Sequence, residues 1–201
     1  MRSIFFFILG ITFSFPLLAQ KKSKTQKLFN GKDLTGWTIH GTEKWYAEGG
    51  ELVCESGPDE EYGYLSTDAS FKDFELKLSF KQESNGNSGV FFHCSLEGTK
   101  ISGWQAEVAP LGNHTGGIYE SYGRGWLIQP EESKEKVLKE GEWNTMVVRV
   151  QHGKVTTWLN GEMMVELDDE KIGQSTGKIA LQIHSGGGVK VRWKDIQLKS
   201  L

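Results

Sequence analysis

The sequence predicts an antiparallel all-β sandwich or jelly roll, and three observations carry that expectation. Short strand-like segments recur at spacings of roughly 8 to 15 residues. A total of 25 glycines punctuates them, and helical periodicity is almost absent. The alternation is cleanest in Phe74-Glu75-Leu76-Lys77-Leu78-Ser79-Phe80-Lys81, where the apolar residues share one face and the polar ones the other.

Before the fold, Met1-Arg2-Ser3 is positive, Ile4 to Leu18 is almost wholly apolar, and Ala19 precedes the polar run Gln20-Lys21-Lys22. Residues 1–19 therefore read as a secretory signal peptide. Broken by Pro16, the apolar run falls short of the roughly 20 residues a membrane span needs, so no transmembrane anchor is expected. A periplasmic or secreted protein follows. Residues 20–27 are polar and lysine-rich and read as a flexible lead-in. Residues 28–201 read as one domain, because about 180 residues suit a single core.

Along that domain, Asn30-Gly31 turns between Leu28-Phe29 and the strand opened by Trp37. Lys44–Ala47 and Glu51–Glu55 form a hairpin about Gly49-Gly50. Tyr62–Thr67 is strand-like, and Asn85 to Ser88 is a polar turn into Gly89–Cys94. Trp104–Val108 is a strand that Pro110 ends. Residues 111–130 hold five glycines with Tyr119, Tyr122, Arg124 and Trp126, and read as a long functional loop with short strands at most. Residues 131–140 are a charged connector. Trp143–Gln151, Lys154–Leu159 and Glu162–Leu167 are strands, the last two joined by Asn160-Gly161, the strongest hairpin signal in the chain. Lys178–His184 and Val189–Leu198 complete the set.

Removing Arg2 with the leader takes the formal net charge from −3 to −4. With no basic block, neither nucleic acid nor an anionic membrane is an expected partner. Cys54 and Cys94 are the only cysteines. An oxidising compartment permits a disulfide between them, whereas the parity of Cys94 with Val90 and Phe92 suits a buried free thiol. Both readings stand.

Three strands display polar groups opposite apolar ones. If Val90 and Phe92 point inward, Phe91 and His93 point out. In the same way Trp104-Gln105-Ala106-Glu107-Val108 displays Gln105 and Glu107, and Ile179–His184 displays Gln182 and His184. Convergence of these faces would place histidine, carboxylate and amide groups on one sheet. The plainer alternatives are an ordinary surface acid at Glu107 and a solvent-facing histidine beside the glycine turn at His184. The paired carboxylates of a standard glycosidase are lacking, since Glu166–Lys171 only approaches a Glu-x-Asp-x-x-Glu strand.

Several motifs together resemble the 3-keto-disaccharide hydrolase family, long known as domain of unknown function 1080. They are Leu28-Phe29-Asn30-Gly31-Lys32-Asp33-Leu34-Thr35-Gly36-Trp37, Gly86-Asn87-Ser88-Gly89-Val90-Phe91-Phe92, the pair Gln105 and Glu107, Gly141-Glu142-Trp143-Asn144-Thr145, Trp158-Leu159-Asn160-Gly161 and Gly177–His184. The resemblance covers Leu28 to Leu201 and implies a concanavalin A-like jelly roll. It also implies an enzyme acting on glycosides oxidised to 3-keto sugars, as hydrolase or lyase. Two departures stand out: His93 occupies a position where the family commonly has arginine, and acid and amide have exchanged places around Gln105 and Glu107.

A C3 ketone acidifies the C2 proton, so a general base can remove it and expel the C1 substituent. On this reading Glu107 or His184 is the base, and His93 with Gln182 steadies the oxyanion. Gln105, Gln182, Tyr119, Arg124 and Trp126 are the candidate sugar contacts, while Trp104 belongs to the core by its parity. A divalent metal held by His93, Glu107 and His184 is an open alternative for polarising the ketone. The competing function is a non-catalytic carbohydrate-binding module of the same fold.

Overall fold

The computed structural model describes residues 24–84 and 86–201; the expected signal peptide at 1–19 lies outside the described residues. In chain order the strands are β1 (Thr25–Lys27), β2 (Trp37–His40), β3 (Lys44–Glu48), β4 (Glu51–Glu55), β5 (Gly63–Thr67), β6 (Phe74–Ser84), β7 (Ser88–Glu97), β8 (Lys100–Val108), β9 (Ile118–Ser121) and β10 (Gly125–Ile128). After the short helix α1 (Glu132–Glu135) come β11 (Asn144–Gln151), β12 (Lys154–Leu159) and β13 (Glu162–Asp168). Helix α2 (Glu170–Gln174) then precedes β14 (Lys178–Ile183) and β15 (Lys190–Ser200).

They form two antiparallel sheets, one ordered β13-β12-β11-β6-β15-β4-β3 with β1 against β15, the other β10-β9-β8-β7-β14-β5-β2. This is the jelly-roll sandwich that the alternating segments predict. Phe74, Leu76, Leu78 and Phe80 of β6, with Met146 and Val148 of β11 and Trp193 of β15, pack against Val90, Phe92, Trp104, Ala106 and Leu181 of the second sheet. Each valine, leucine, methionine or phenylalanine among them contributes about 1.5–3 kcal/mol on leaving water. Trp104 is core, as its parity requires.

The Asn160-Gly161 hairpin forms as expected: both residues have positive φ, 52° and 91°, as a type I′ turn demands. At the N-terminus the boundary moves. Thr25–Lys27, inside the segment read as a flexible lead-in, pair with Gln197–Lys199 of β15, because β15 offers an open ladder edge there.

Strand parity fails within β7, and this decides which way His93 faces. The register of β7 against β8 shifts between Phe92 and Ser95, and that of β14 against β7 between Lys178 and Ala180. His93 occupies this bulge with φ of 47°. One extra residue in a strand exchanges the faces of everything beyond it. Consequently His93 turns inward, its ring edge-on to Phe74 and Trp104, while Cys94 turns outward beside Tyr64, Phe91 and Ile101. Both are the reverse of what uninterrupted alternation predicts. Glycine makes the bulge possible: a β-carbon on Gly177 would lie 2.5 Å from the carbonyl carbon of His93 and 2.8 Å from the Cys94 nitrogen.

Cys54 and Cys94 are free and buried, one in each sheet. Burial pushes both thiols up to about 12. Native protein should therefore leave a thiol reagent unreacted and release both equivalents only on denaturation; an intact mass two hydrogens short would contradict this. Gly177→Ala should lower stability by roughly 1–3 kcal/mol, because the opposing atoms are backbone and cannot swing away. A chemical-denaturation midpoint equal to that of the parent would show that the bulge yields.

Candidate functional site

On the second sheet, strand register lines up two rows of side chains facing away from the core. In one row Glu107 is opposite Gly89, Gly89 opposite Gln182, and Gln182 opposite Tyr64. In the other Trp126 is opposite Tyr119, Tyr119 opposite Gln105, and Gln105 opposite Phe91. The rows floor a cavity of about 650 Å³, walled by Tyr62, Tyr122, Asn113, His114 and His184. A volume of that order suits a small sugar. Gly89 keeps the centre of the floor low, since a β-carbon there would sit on the Gln105 carboxamide.

Glu107 is 8% exposed. Its Oε2 accepts a hydrogen bond from Gln105 Nε2 at 2.8 Å. Burial outweighs that bond and the Val108 amide, pushing the carboxyl up to about 8. A carboxylic acid poised there can release or take a proton near neutrality. Gln182, 4% exposed, leaves its carbonyl Oε1 without a partner among the described residues. A buried acceptor without a donor costs free energy until a ligand hydroxyl supplies one. Burial likewise pushes the Tyr64 phenol up to about 12, although a hydrogen bond from Gln182 works in the opposite direction. The phenol therefore keeps its proton and can donate it.

His184 has a defined tautomer. Its Nδ1 lies 3.0 Å from the Ser185 carbonyl, which can only accept. Nδ1 therefore carries the hydrogen, and in the neutral ring Nε2 accepts from the Tyr62 hydroxyl at 3.1 Å.

The structure thus gathers Glu107, His184, Gln105, Gln182, Tyr119 and Trp126 around one cavity. His93 is not among them. The bulge sends it between the sheets, where Nε2 donates to the Lys72 carbonyl at 2.6 Å and burial lowers its pKa. Arg124 is also elsewhere: its guanidinium binds Glu120 and, at 2.6 Å, Asp169. With Lys171 also on the buried Glu120 carboxylate, these ion pairs pin the β9–β10 hairpin that carries Tyr119 and Trp126. Because His93 faces the interior, the metal set of His93, Glu107 and His184 does not converge. Among the described residues no three histidine, cysteine or acidic side chains gather in a cation-binding arrangement. These residues do not fit the cation.

Sequence reasoning missed Tyr62, Tyr64, Asn87, Asn113 and His114. Tyr64 was accessible from parity, because Leu65 is core and its neighbour must face out. The others lie outside regular strands, where no period announces a direction.

Residues 24–199 match the profile of the 3-keto-alpha-glucoside-1,2-lyase-like domain. The chain belongs to this family. A 3-keto-disaccharide hydrolase of Bacteroides thetaiotaomicron is 26% identical to it, over 69% of this chain and 57% of that protein, so the chain spans little more than half of that relative's length. A crystal structure of a candidate glycosyl hydrolase from Parabacteroides distasonis superposes with a TM-score of 0.68 at 25% identity, covering 88% of this chain and 94% of the other. The carbohydrate-binding module CBM66 of Bacillus subtilis shares the fold, with a TM-score of 0.66 at 13% identity over 82% and 96% of the two chains. Membership of the 3-keto-alpha-glucoside-1,2-lyase-like family places the chain among glycoside-processing proteins, and the sandwich it shares with a binding module is not what sets its chemistry.

The buried carboxyl gives a stability test. Unfolded Glu107 ionises near its ordinary value of 4.5, whereas the folded form holds its proton to about 8. Stability therefore falls as pH rises through that window and levels above it. The advantage of Glu107→Gln over the parent in thermal midpoint should grow across the same window and then stay constant. A difference independent of pH would place the carboxyl in a wetter environment.

Proposed function

We propose that this chain is a secreted or periplasmic enzyme that cleaves 3-keto glycosides by removing the C2 proton and eliminating the C1 substituent. The observation that carries the reading is Glu107: a buried carboxyl with a near-neutral pKa, held by Gln105 in a sugar-sized cavity on the polar face of a family domain. The ketone is what makes such a bond labile without paired carboxylates. Glu107 takes the C2 proton, and the electron pair of that bond passes into the enolate. The Tyr64 phenol is the donor suited to the developing oxyanion, and Gln182 Oε1 accepts a substrate hydroxyl. Collapse of the enolate re-forms the ketone, makes the C1–C2 double bond and breaks the bond from C1 to the leaving oxygen. Addition of water at C1 with return of a proton to C2 gives net hydrolysis. Without it the unsaturated product leaves.

Of the two bases the residue pattern suggested, Glu107 is favoured, because the Nε2 lone pair of neutral His184 is engaged by Tyr62. The binding-module reading draws on the half-exposed Trp126 and exposed Tyr122 at the cavity, whose ring faces suit pyranose C–H faces. Binding of unoxidised sugars with no turnover of a 3-keto glucoside would favour it.

In deuterated water, product formed by net hydrolysis should carry deuterium at C2. Protium fully retained there would indicate displacement at C1 instead. Glu107→Gln should lower the rate by roughly 10²–10⁴, the usual worth of a general base. Because the ionised carboxylate is the active form, kcat/KM for a 3-keto glucoside with a nitrophenol leaving group, which departs without a proton, should climb with pH up to about 8 and then level. A rate falling over that range would make Glu107 an acid.

A further inference from the structure

We infer that His114, positioned by Glu135, is the general acid that protonates the departing aglycone oxygen. The inference rests on the elimination reading above and supplies the group that reading lacks, since a sugar or alkyl alkoxide is a poor leaving group unless a proton reaches it as the bond breaks.

His114 belongs to the excursion between β8 and β9, which the sequence offered only as glycine-rich loop. Its backbone sits at φ of 67°, a region that non-glycine residues seldom occupy. The carboxylate of Glu135, on α1 and 2% exposed, holds it there. Oε2 of Glu135 accepts from the Gly112 nitrogen at 3.1 Å and from the His114 nitrogen at 3.0 Å. Oε1 lies 3.6 Å from the buried Nδ1 of the His114 ring. One carboxylate thus fixes the loop through two amides and stands at ion-pair distance from one edge of the imidazole, whose Nδ1 is buried without a hydrogen bond of its own among the described residues. The ring stands edge-on to Trp126, with centroids 5.2 Å apart, and lines the cavity. The same excursion is tied to the base: Gly116 nitrogen donates to the Glu107 carbonyl at 2.9 Å, and Glu107 nitrogen to the Gly117 carbonyl at 3.0 Å.

A buried Nδ1 turned toward a carboxylate leaves Nε2 as the edge that can reach a ligand. Among the described residues no hydrogen bond engages Nε2. In the imidazolium, Nδ1–H faces Glu135 and Nε2–H is the transferable proton. His184 is less suited, because Ser185 and Tyr62 occupy both of its nitrogens. The balance is complete without another reactant. The C2 proton goes to Glu107, the electron pair expels the aglycone from C1, and Nε2–H neutralises the oxygen that leaves. His114 is then the neutral base able to draw a proton from the water adding at C1. Glu135 is a positioning residue, and its carboxylate faces the Nδ1 edge of the ring.

The test compares 3-keto glucosides with a nitrophenol and an alkyl leaving group. His114→Asn is the first variant, because asparagine tolerates the left-handed backbone and cannot deliver the proton. It should lose roughly 10²–10⁴ in rate on the alkyl substrate and less than about tenfold on the nitrophenyl one. It should still wash deuterium from solvent into C2 of unreacted alkyl substrate. Glu135→Gln can still accept both loop amides but removes the charge beside the ring, so it should move leaving-group dependence in the same direction while its melting temperature stays near the parent's. If the parent protein turns over both substrates and His114→Asn and Glu135→Gln depress them equally, the role of His114 falls and the elimination reading survives. If the parent neither turns over 3-keto glucosides nor exchanges C2, both readings fall together.

Discussion

The constraint on which the site depends is the register of β7 between β8 and β14. Hydrogen-bonded strands cannot slide by less than a residue pair without reversing their faces, so one pairing choice aligns Glu107, Gly89, Gln182 and Tyr64 across four strands. Gly89 is the position where this row could have been blocked, and its missing side chain is what lets Gln105 lie across the floor and reach Glu107. The raised proton affinity of Glu107 follows from the same packing. A buried carboxyl held by the Gln105 carboxamide is short of the water that would stabilise its charge.

Much of this was legible from residue order. Period-two alternation gave both faces of β6 and β8, and the outward direction of Gln182 on β14, because each of those strands is regular across the residues concerned. The Asn160-Gly161 turn was legible because only certain residues accept positive φ at both central positions. His93 was misread for a physical reason: alternation holds only while each residue has one cross-strand partner, and the bulge breaks that count just before the histidine. Nothing in Phe92-His93-Cys94 itself announces a bulge. The glycine notches at Gly103 and Gly177, distant in sequence, are what admit it.

Arg124 was misread differently. Its residue type suits sugar hydroxyls and carboxylates alike, and of the deciding partners Glu120 stands four residues back in β9 while Asp169 comes from the distant N-cap of α2. His114 and Asn113 stayed hidden because they ride on an irregular excursion whose conformation is imposed by Glu135, a residue of a segment that reads as a solvated connector. Burial of that glutamate is a tertiary property. Family membership adds the class of substrate to be considered, while the assignment of individual roles rests on which side chains the sandwich brings to one face.

The site therefore has two mechanically distinct parts. Glu107, Gln182 and Tyr64 are locked into ladders, and moving any of them would mean re-registering a sheet on which the core also depends. His114 and Asn113 are borne by an excursion whose end pairs with Glu107 through Gly116 and Gly117 and whose tip is fastened by the Glu135 carboxylate, and Trp126 by a hairpin fastened through a small set of ion pairs. Those fasteners can be rebuilt without disturbing the sandwich. The architecture separates a floor that moves only with a whole sheet from walls that a few side-chain contacts hold, so that one wall of the cavity can be reshaped while the floor stays in register.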